Sequence, residues 1–382
     1  MTLREKIAQV IREQGPIPFS RYMDICLYDP QFGYYSRAAE QFGKAGDFYT
    51  SSDVHAVFGR LLARQFEEMW RVLGSPPQIE ILELGPGRGL FAQDVLDWSE
   101  KKFPDLLRAL HYSLAEQSSG LRKRLEESLS GRLASGKASL TGASSAAGLQ
   151  RALEPEIPLI IFANEVFDSL PVEVLSTQGK LLIADQNGRL VETWTAPSAE
   201  ELDFLDRHSI HPEPGERVEA PLAAQSVMSQ LSTMMAKGFL LIVDYGYTRK
   251  EQLAGRHRGT LMAFRRHSAS PNPYEAPGEQ DITAHVNFTA LADAAERGGM
   301  QLHPLLTQSQ FLLGIGEANQ FADAFEECRL PQERAKVALQ LKHLVTPAGM
   351  GEAFHVLIAS KGLDPLEATS LSGLNFGRNL TT

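Results

Sequence analysis

Two cysteines in 382 residues, Cys26 and Cys328, are too few for a disulfide framework or a thiolate metal cluster, and both are expected to be buried small residues. The ten histidines are scattered without close ligand pairs, so no metal site is expected. Long apolar runs are also missing. The longest, such as Phe239 to Val243, are strand-sized, which excludes a membrane-spanning helix. The opening residues Met1-Thr2-Leu3-Arg4-Glu5-Lys6 are charged and have no apolar core that could form a signal peptide, which predicts a cytoplasmic protein. An excess of basic residues is absent too. A formal net charge of -10 argues against sequence-independent nucleic-acid binding and suits a cationic partner. With 43% hydrophobic and 22% charged residues, the chain is neither disordered nor a repeat array, and it is long enough for a main domain with an appended one.

What is present begins with Ile79-Glu80-Ile81-Leu82-Glu83-Leu84-Gly85-Pro86-Gly87-Arg88-Gly89, an apolar run that meets a tight glycine turn. Leu90 to Trp98 then follow with helical spacing, so the glycines lie where a strand feeds a helix and the backbone can pass close under a ligand. A dinucleotide fingerprint needs its third glycine after two intervening residues. Here the spacing is G-x-G-x-G, and Leu90 occupies the position that should be small. Glu83, two residues before the turn, repels phosphate but suits an ammonium or sulfonium. These features point to S-adenosyl-L-methionine as cofactor; a glycine turn in another α/β fold is the alternative. Downstream, Tyr112-Ser113-Leu114-Ala115-Glu116 reads as a short strand ending in an acid that can accept both hydroxyls of an adenosine ribose. Glu116 could instead cap the helix from Leu121 to Leu129, although Ser118 or Ser119 could take that role.

Amphipathic spacing predicts helices at 3–14, around 20–28 and at 54–73, so residues 1–76 are expected to form a helical cap with a cofactor-covering loop. Beyond residue 77 the rhythm is strand 79–84, helix 89–102, strand 112–116, helix 119–130, a weak strand 138–141, helix 145–152 and strand 158–163. This alternation predicts an α/β fold with a doubly wound, mostly parallel Rossmann-like sheet and a ligand at the carboxyl ends of its strands. A hairpin from 172 to 194, a Pro- and Glu-rich loop to 221, helix 222–236 and strand 239–244 follow. After a loop-rich stretch from 248 to 287, helix 288–298 and strands 300–306 and 353–360 suit an antiparallel edge hairpin, an ending characteristic of class I methyltransferases. The methyltransferase domain is placed at 77–365, with insertions at about 172–221 and 248–287, and residues 366–382 are a tail.

Three further segments hold candidate chemistry. Phe162-Ala163-Asn164-Glu165-Val166-Phe167-Asp168-Ser169-Leu170-Pro171 places an amide and two carboxylates where the donor methyl should point. Glu165 and Asp168 can hold a guanidinium fork and polarise a nitrogen lone pair toward the methyl. Otherwise Asp168 and Ser169 cap a short helix and Asn164 satisfies a backbone group. Gly43-Lys44-Ala45-Gly46-Asp47-Phe48-Tyr49-Thr50-Ser51-Ser52 suits a loop closing over the cofactor, with Asp47 taking its ammonium and Phe48 or Tyr49 packing against its sulfonium. An aromatic-stapled surface loop that caps the next helix is the alternative. Asp244-Tyr245-Gly246-Tyr247 and the loop Pro277 to His285 also carry acids and a histidine, and rank below the Glu165–Asp168 segment.

In their order along the chain, GKAGDFYTSSDVHAVFG, ILELGPGRGLF, FANEVFDSLPVEV, LLIVDYGY, PGEQDITAHVNFTAL, TQSQFLLGIG and MGEAFHVL resemble the MidA-like family of S-adenosylmethionine-dependent methyltransferases, from about Pro18 to Lys361. That family includes mitochondrial proteins needed for respiratory complex I assembly, and its animal member makes symmetric dimethylarginine on a complex I subunit. The resemblance implies a class I fold and a cofactor loop at Gly85, Gly87 and Gly89. It places Asn164, Glu165 and Asp168 on the family's asparagine-glutamate-aspartate motif. Asp47 and Thr50 fall in the cofactor-covering loop. A protein substrate, such as an arginine on an NADH dehydrogenase subunit, is likewise implied. Methylation of a small molecule or a non-arginine side chain, or a non-catalytic assembly factor that binds the cofactor, are the other readings. After the third strand, Thr141-Gly142-Ala143-Ser144-Ser145 offers no carboxylate or amide, leaving adenine to backbone groups or Ser144.

Overall fold

The structure, a computed structural model, describes residues 1–36, 56–142, 156–253, 259–265, 268–270 and 272–376. In chain order its strands are β1 (Ile17–Pro18), β2 (Ile79–Leu84), β3 (Leu110–Ala115), β4 (Ala138–Thr141), β5 (Leu159–Asn164), β6 (Glu173–Ser176), β7 (Gly179–Gln186), β8 (Arg189–Thr195), β9 (Val218–Ala220), β10 (Gly238–Tyr247), β11 (Met262–Arg265), β12 (Ser268–Ser270), β13 (Asp281–Thr283), β14 (Val286–Asn287), β15 (Gln301–Leu302), β16 (Leu306–Thr307) and β17 (Phe354–Lys361).

The central sheet has the order β15-β17-β10-β5-β2-β3-β4. Its pairings from β4 to β10 are parallel, whereas β17 runs antiparallel to β10 and to β15. The expected edge hairpin is therefore present at the end of a mostly parallel, doubly wound sheet. Strands covered on both faces read as continuous apolar runs. In β5, Leu159-Ile160-Ile161-Phe162-Ala163 is buried throughout. One face packs against the helices Ala56–Val72 and Leu90–Lys102, where Phe162 stacks on Phe91 at 4.3 Å and meets the edge of Phe66 at 5.8 Å. The other face packs against the helices Leu222–Met234 and Phe288–Arg297.

The N-terminal segment divides between two units. The helix Ala56–Val72 belongs to the central core. The first two helices, Leu3–Gln14 and Phe19–Tyr28, cover a small sheet of order β1-β7-β6-β9, with β8 on β7. Ile7, Ile11, Phe19 and Tyr22 share a core with Val174, Leu181 and Ile183. Short amphipathic helices bury their stripe against whatever sheet is available. Here the hairpin that follows β5 supplies that sheet, and the first two helices of the expected helical cap pack on it. A third sheet, β12-β11-β13, lies in the second insertion. The expected helix at 145–152 and the Gly43–Ser52 loop fall outside the described residues.

Candidate active site

The carboxyl ends of β2, β3, β5 and β10 surround a cavity of about 550 Å³, which Tyr28 and Tyr35 of the N-terminal unit also line. That volume lies in the range of small-ligand sites. Gly85, Gly87 and Gly89 all have left-handed backbone, with φ of 60°, 54° and 75°. A Cβ on Gly89 would approach Leu125 to 2.6 Å, so that glycine permits close packing of the turn. Among the described residues, a Cβ on Gly87 would meet nothing within 4 Å beyond its chain neighbours, and Gly87 lines the cavity. It keeps the backbone accessible to a ligand.

Two acids flank this turn. Glu83 is buried and accepts a hydrogen bond from the Tyr112 hydroxyl at 2.9 Å. Burial pushes its pKa up to about 8, with the Tyr112 bond pulling down and nearby Glu116 adding to the rise. Glu116 accepts from the Ser118 backbone N–H at 2.8 Å; burial raises it to about 7 against the pull of the Ser118, Gly87 and Gln117 amides. The helix Ser119–Ser128 is capped by Ser118, whose hydroxyl accepts from the Leu121 N–H, so Glu116 faces the cavity without serving as cap.

The turn after β5 holds the third group. No helix starts at Asp168; residues 165–170 form a bend and turn in which Glu165 adopts left-handed backbone, φ 54°. Strain of this kind in a non-glycine residue is kept only where surrounding contacts impose it. The contacts come from Asp244, fully buried in β10 one residue past its pairing with β5, whose Oδ2 accepts the N–H groups of Val166 at 3.2 Å, Phe167 at 2.9 Å and Asp168 at 3.3 Å. Burial and the carboxylates of Asp168 and Glu165 push Asp244 upward, while the Tyr245 and Phe167 amides oppose the shift. Next to it, Tyr245 donates to Asp168. Burial raises Asp168 to about 6, against the hydrogen bond from Tyr245. Asn164 donates through its amide nitrogen to Glu165 at 3.1 Å. Among the described residues, Asn164 Oδ1 and Asp168 Oδ1 are buried acceptors that meet no hydrogen-bond donor. Both residues line the cavity, so the site presents acceptors to a ligand rich in N–H donors.

The sequence of the Methyltransf_28 family of S-adenosyl-L-methionine-dependent methyltransferases matches residues 61–305. The chain belongs to this family. It is an S-adenosyl-L-methionine-dependent methyltransferase. The crystal structure of a Burkholderia thailandensis protein bound to S-adenosyl-homocysteine superposes with a TM-score of 0.81 at 29% identity, covering 96% of this chain and 94% of that one. The Drosophila melanogaster protein arginine methyltransferase NDUFAF7 homolog, mitochondrial, is 30% identical over 95% of this chain and 85% of its own length. The human protein arginine methyltransferase NDUFAF7, mitochondrial, is 27% identical over 90% and 80%. These relatives are named as mitochondrial, which overturns the expectation of a cytoplasmic protein drawn from the charged opening residues.

The methyltransferase brings Glu83, Gly85, Gly87, Glu116, Asn164, Glu165 and Asp168 to one cavity. Gly89 supports it from behind, against Leu125. Asp47 and Thr50 lie outside the described residues. Among the described residues, no group of His, Cys, Asp and Glu could hold a metal ion. No helix among them is long and apolar enough to cross a membrane. Asp244 and Tyr245 were visible only as an acid and an aromatic at a strand end. Nothing in the local pattern showed that Asp244 would gather three amides of a turn 76 to 78 positions earlier.

Proposed function

We propose that this methyltransferase modifies arginine on a protein, and that the acceptor lies on a subunit of NADH dehydrogenase. The observation that carries the reading is the pair of buried oxygens, Asn164 Oδ1 and Asp168 Oδ1, beside Glu165, which meet no donor among the described residues. A guanidinium offers five N–H donors in a planar fork that matches such acceptors. The arginine assignment is supported by the names of the Drosophila and human relatives, and the NADH dehydrogenase assignment by the family resemblance carried by the sequence motifs.

In this reading the glycine turn and Glu116 hold the adenosine, and Glu83 favours the cationic end of the cofactor. The cofactor supplies an electrophilic methyl on a sulfonium. Asn164, Glu165 and Asp168 orient the guanidinium for in-line attack, and alignment provides most of the acceleration. Methylation of an arginine that stays cationic releases one proton. Asp168, whose pKa burial raises to about 6, can accept it at Oδ1.

The test is mass spectrometry of NADH dehydrogenase subunits from cells with and without this protein. A 14 Da gain, or its double, on one arginine is expected, and complementation with Asp168→Asn should restore about a hundredth of it or less. Arginines that stay unmodified while a lysine, a chain terminus or a small molecule gains the methyl would refute the acceptor assignment.

A further inference from the structure

The cavity has a further acceptor in its lining that the strand-end motifs do not include. Asp281 begins β13, is buried, and lines the cavity. Its Oδ1 accepts a hydrogen bond from the Tyr35 hydroxyl at 2.9 Å. Tyr35 lies 5.5 Å from Tyr28, ring centre to ring centre, with the planes inclined at 32°, and both rings line the same cavity. The Tyr28 hydroxyl in turn donates to the Ser169 carbonyl at 3.1 Å, one residue beyond Asp168.

The segment carrying Asp281 is held against the Glu165–Asp168 turn. The Ala284 N–H donates to the Asp168 carbonyl at 2.9 Å. Tyr245, the donor to Asp168, also bonds Thr283. The carboxylates of Asp168 and Asp281 both act on the hydroxyls of Tyr28 and Tyr35, which are pushed upward first by burial and then by these charges. Two buried carboxylates thus flank two aromatic rings, within one cavity and with no cationic side chain among the four.

We infer that Asp168 and Asp281, with the rings of Tyr28 and Tyr35, form a cage for the acceptor's side-chain cation, and that Asp281 is a specificity-determining residue for it. The inference rests on the arginine reading above and extends it to the N-terminal unit. A carboxylate on each side satisfies both edges of a planar guanidinium, and aromatic faces favour a cation excluded from water. A compact ammonium reaches one acid but cannot span both. The cage is completed only when Tyr28 and Tyr35 from the first 36 residues meet the sheet edge, which couples acceptor recognition to the packing of that unit.

The test uses the full-length protein saturated with S-adenosyl-homocysteine and titrates Nα-acetyl-arginine amide by calorimetry, with Nα-acetyl-lysine amide as comparison. Asp281→Asn, which keeps the shape, is expected to weaken arginine binding at least tenfold and leave S-adenosyl-homocysteine affinity within twofold. Tyr35→Phe, which removes only the hydroxyl that orients Asp281, should weaken it by a smaller factor. Arginine binding unchanged in Asp281→Asn would overturn the cage while leaving the arginine reading intact. Loss of S-adenosyl-homocysteine binding in that variant would also overturn it, by assigning Asp281 to the cofactor. Failure of the unsubstituted protein to bind the arginine probe in preference to the lysine one would refute the arginine reading itself, and the cage with it.

Discussion

Replacing Asp244 by asparagine probes the link between β10 and the turn that carries Glu165 and Asp168. The carboxylate uses Oδ2 for three turn amides and Oδ1 for the Tyr245 N–H at 2.9 Å. An amide has one acceptor oxygen. If that oxygen faces the turn, the Tyr245 N–H is left against an NH2 group, and a buried unsatisfied donor costs about 1–3 kcal/mol. The three turn bonds also lose charge assistance, which roughly halves the strength of each. Against this, the variant removes a buried charge that Asp168 and Glu165 disfavour. The net loss should be about 1–3 kcal/mol, which a chain of this size registers as a fall of about 1–4 °C in Tm. The larger consequence is positional, because displacement of about 1 Å at reacting groups can cost on the order of a hundredfold in rate. Thermal denaturation, S-adenosyl-homocysteine titration and single-turnover methyl transfer would be measured together. The expected pattern is a modest Tm loss, a tenfold or greater fall in transfer rate and cofactor affinity within twofold of the original. An unchanged Tm and rate would refute the claim that Asp244 holds the turn, and a collapse of cofactor affinity would place its role on the other side of the cavity.

Alanine at two glycines should separate packing from ligand access. Gly89→Ala combines left-handed backbone with a 2.6 Å approach to Leu125 and should cost about 1–3 kcal/mol of stability, read as Tm without ligand. Gly87→Ala has the same backbone penalty of about 1 kcal/mol but no protein clash, so it should fold and lose most of its S-adenosyl-homocysteine binding by calorimetry. The pH dependence of that binding should follow Glu116. Its pKa of about 7 lies above the ordinary carboxylate value, so the ionised form that accepts ribose hydroxyls is lost as pH falls through 7, and affinity should drop toward about tenfold per unit below pH 6.5. Glu116→Gln should flatten this profile, and a profile unchanged by the substitution would remove Glu116 from the ribose site.

Local chain chemistry carried much of the architecture. The alternation of apolar runs and amphipathic helices sets strand direction, because a parallel pair needs a crossover and each crossover helix must cover the sheet. Residues placed just after strand ends, including Gly85 to Gly89, Glu116 and Asn164 to Asp168, therefore meet at one edge without any knowledge of longer-range contacts. The first helix lies where its amphipathic spacing put it, with Thr2 and Glu5 closing its start through bonds confined to one turn, whereas the helix Ala199–His208, closed in the same way by Ser198 and Glu201, occupies a stretch expected to be a Pro- and Glu-rich loop. What tertiary structure decided are the contacts between segments far apart in the chain. Leu3–Gln14 and Phe19–Tyr28 had an evident apolar stripe, but the pairing of Ile17 and Pro18 with Ile183 and Leu182 showed which surface buries it. Asp281 and Tyr35 are separated by 246 positions, and each has the residue type of an ordinary loop acid or core aromatic. Their meeting at the cavity comes from packing two insertions and the N-terminal helices around a sheet edge, and burial, which turns a common carboxylate into an exacting cation acceptor, exists only once that packing is complete.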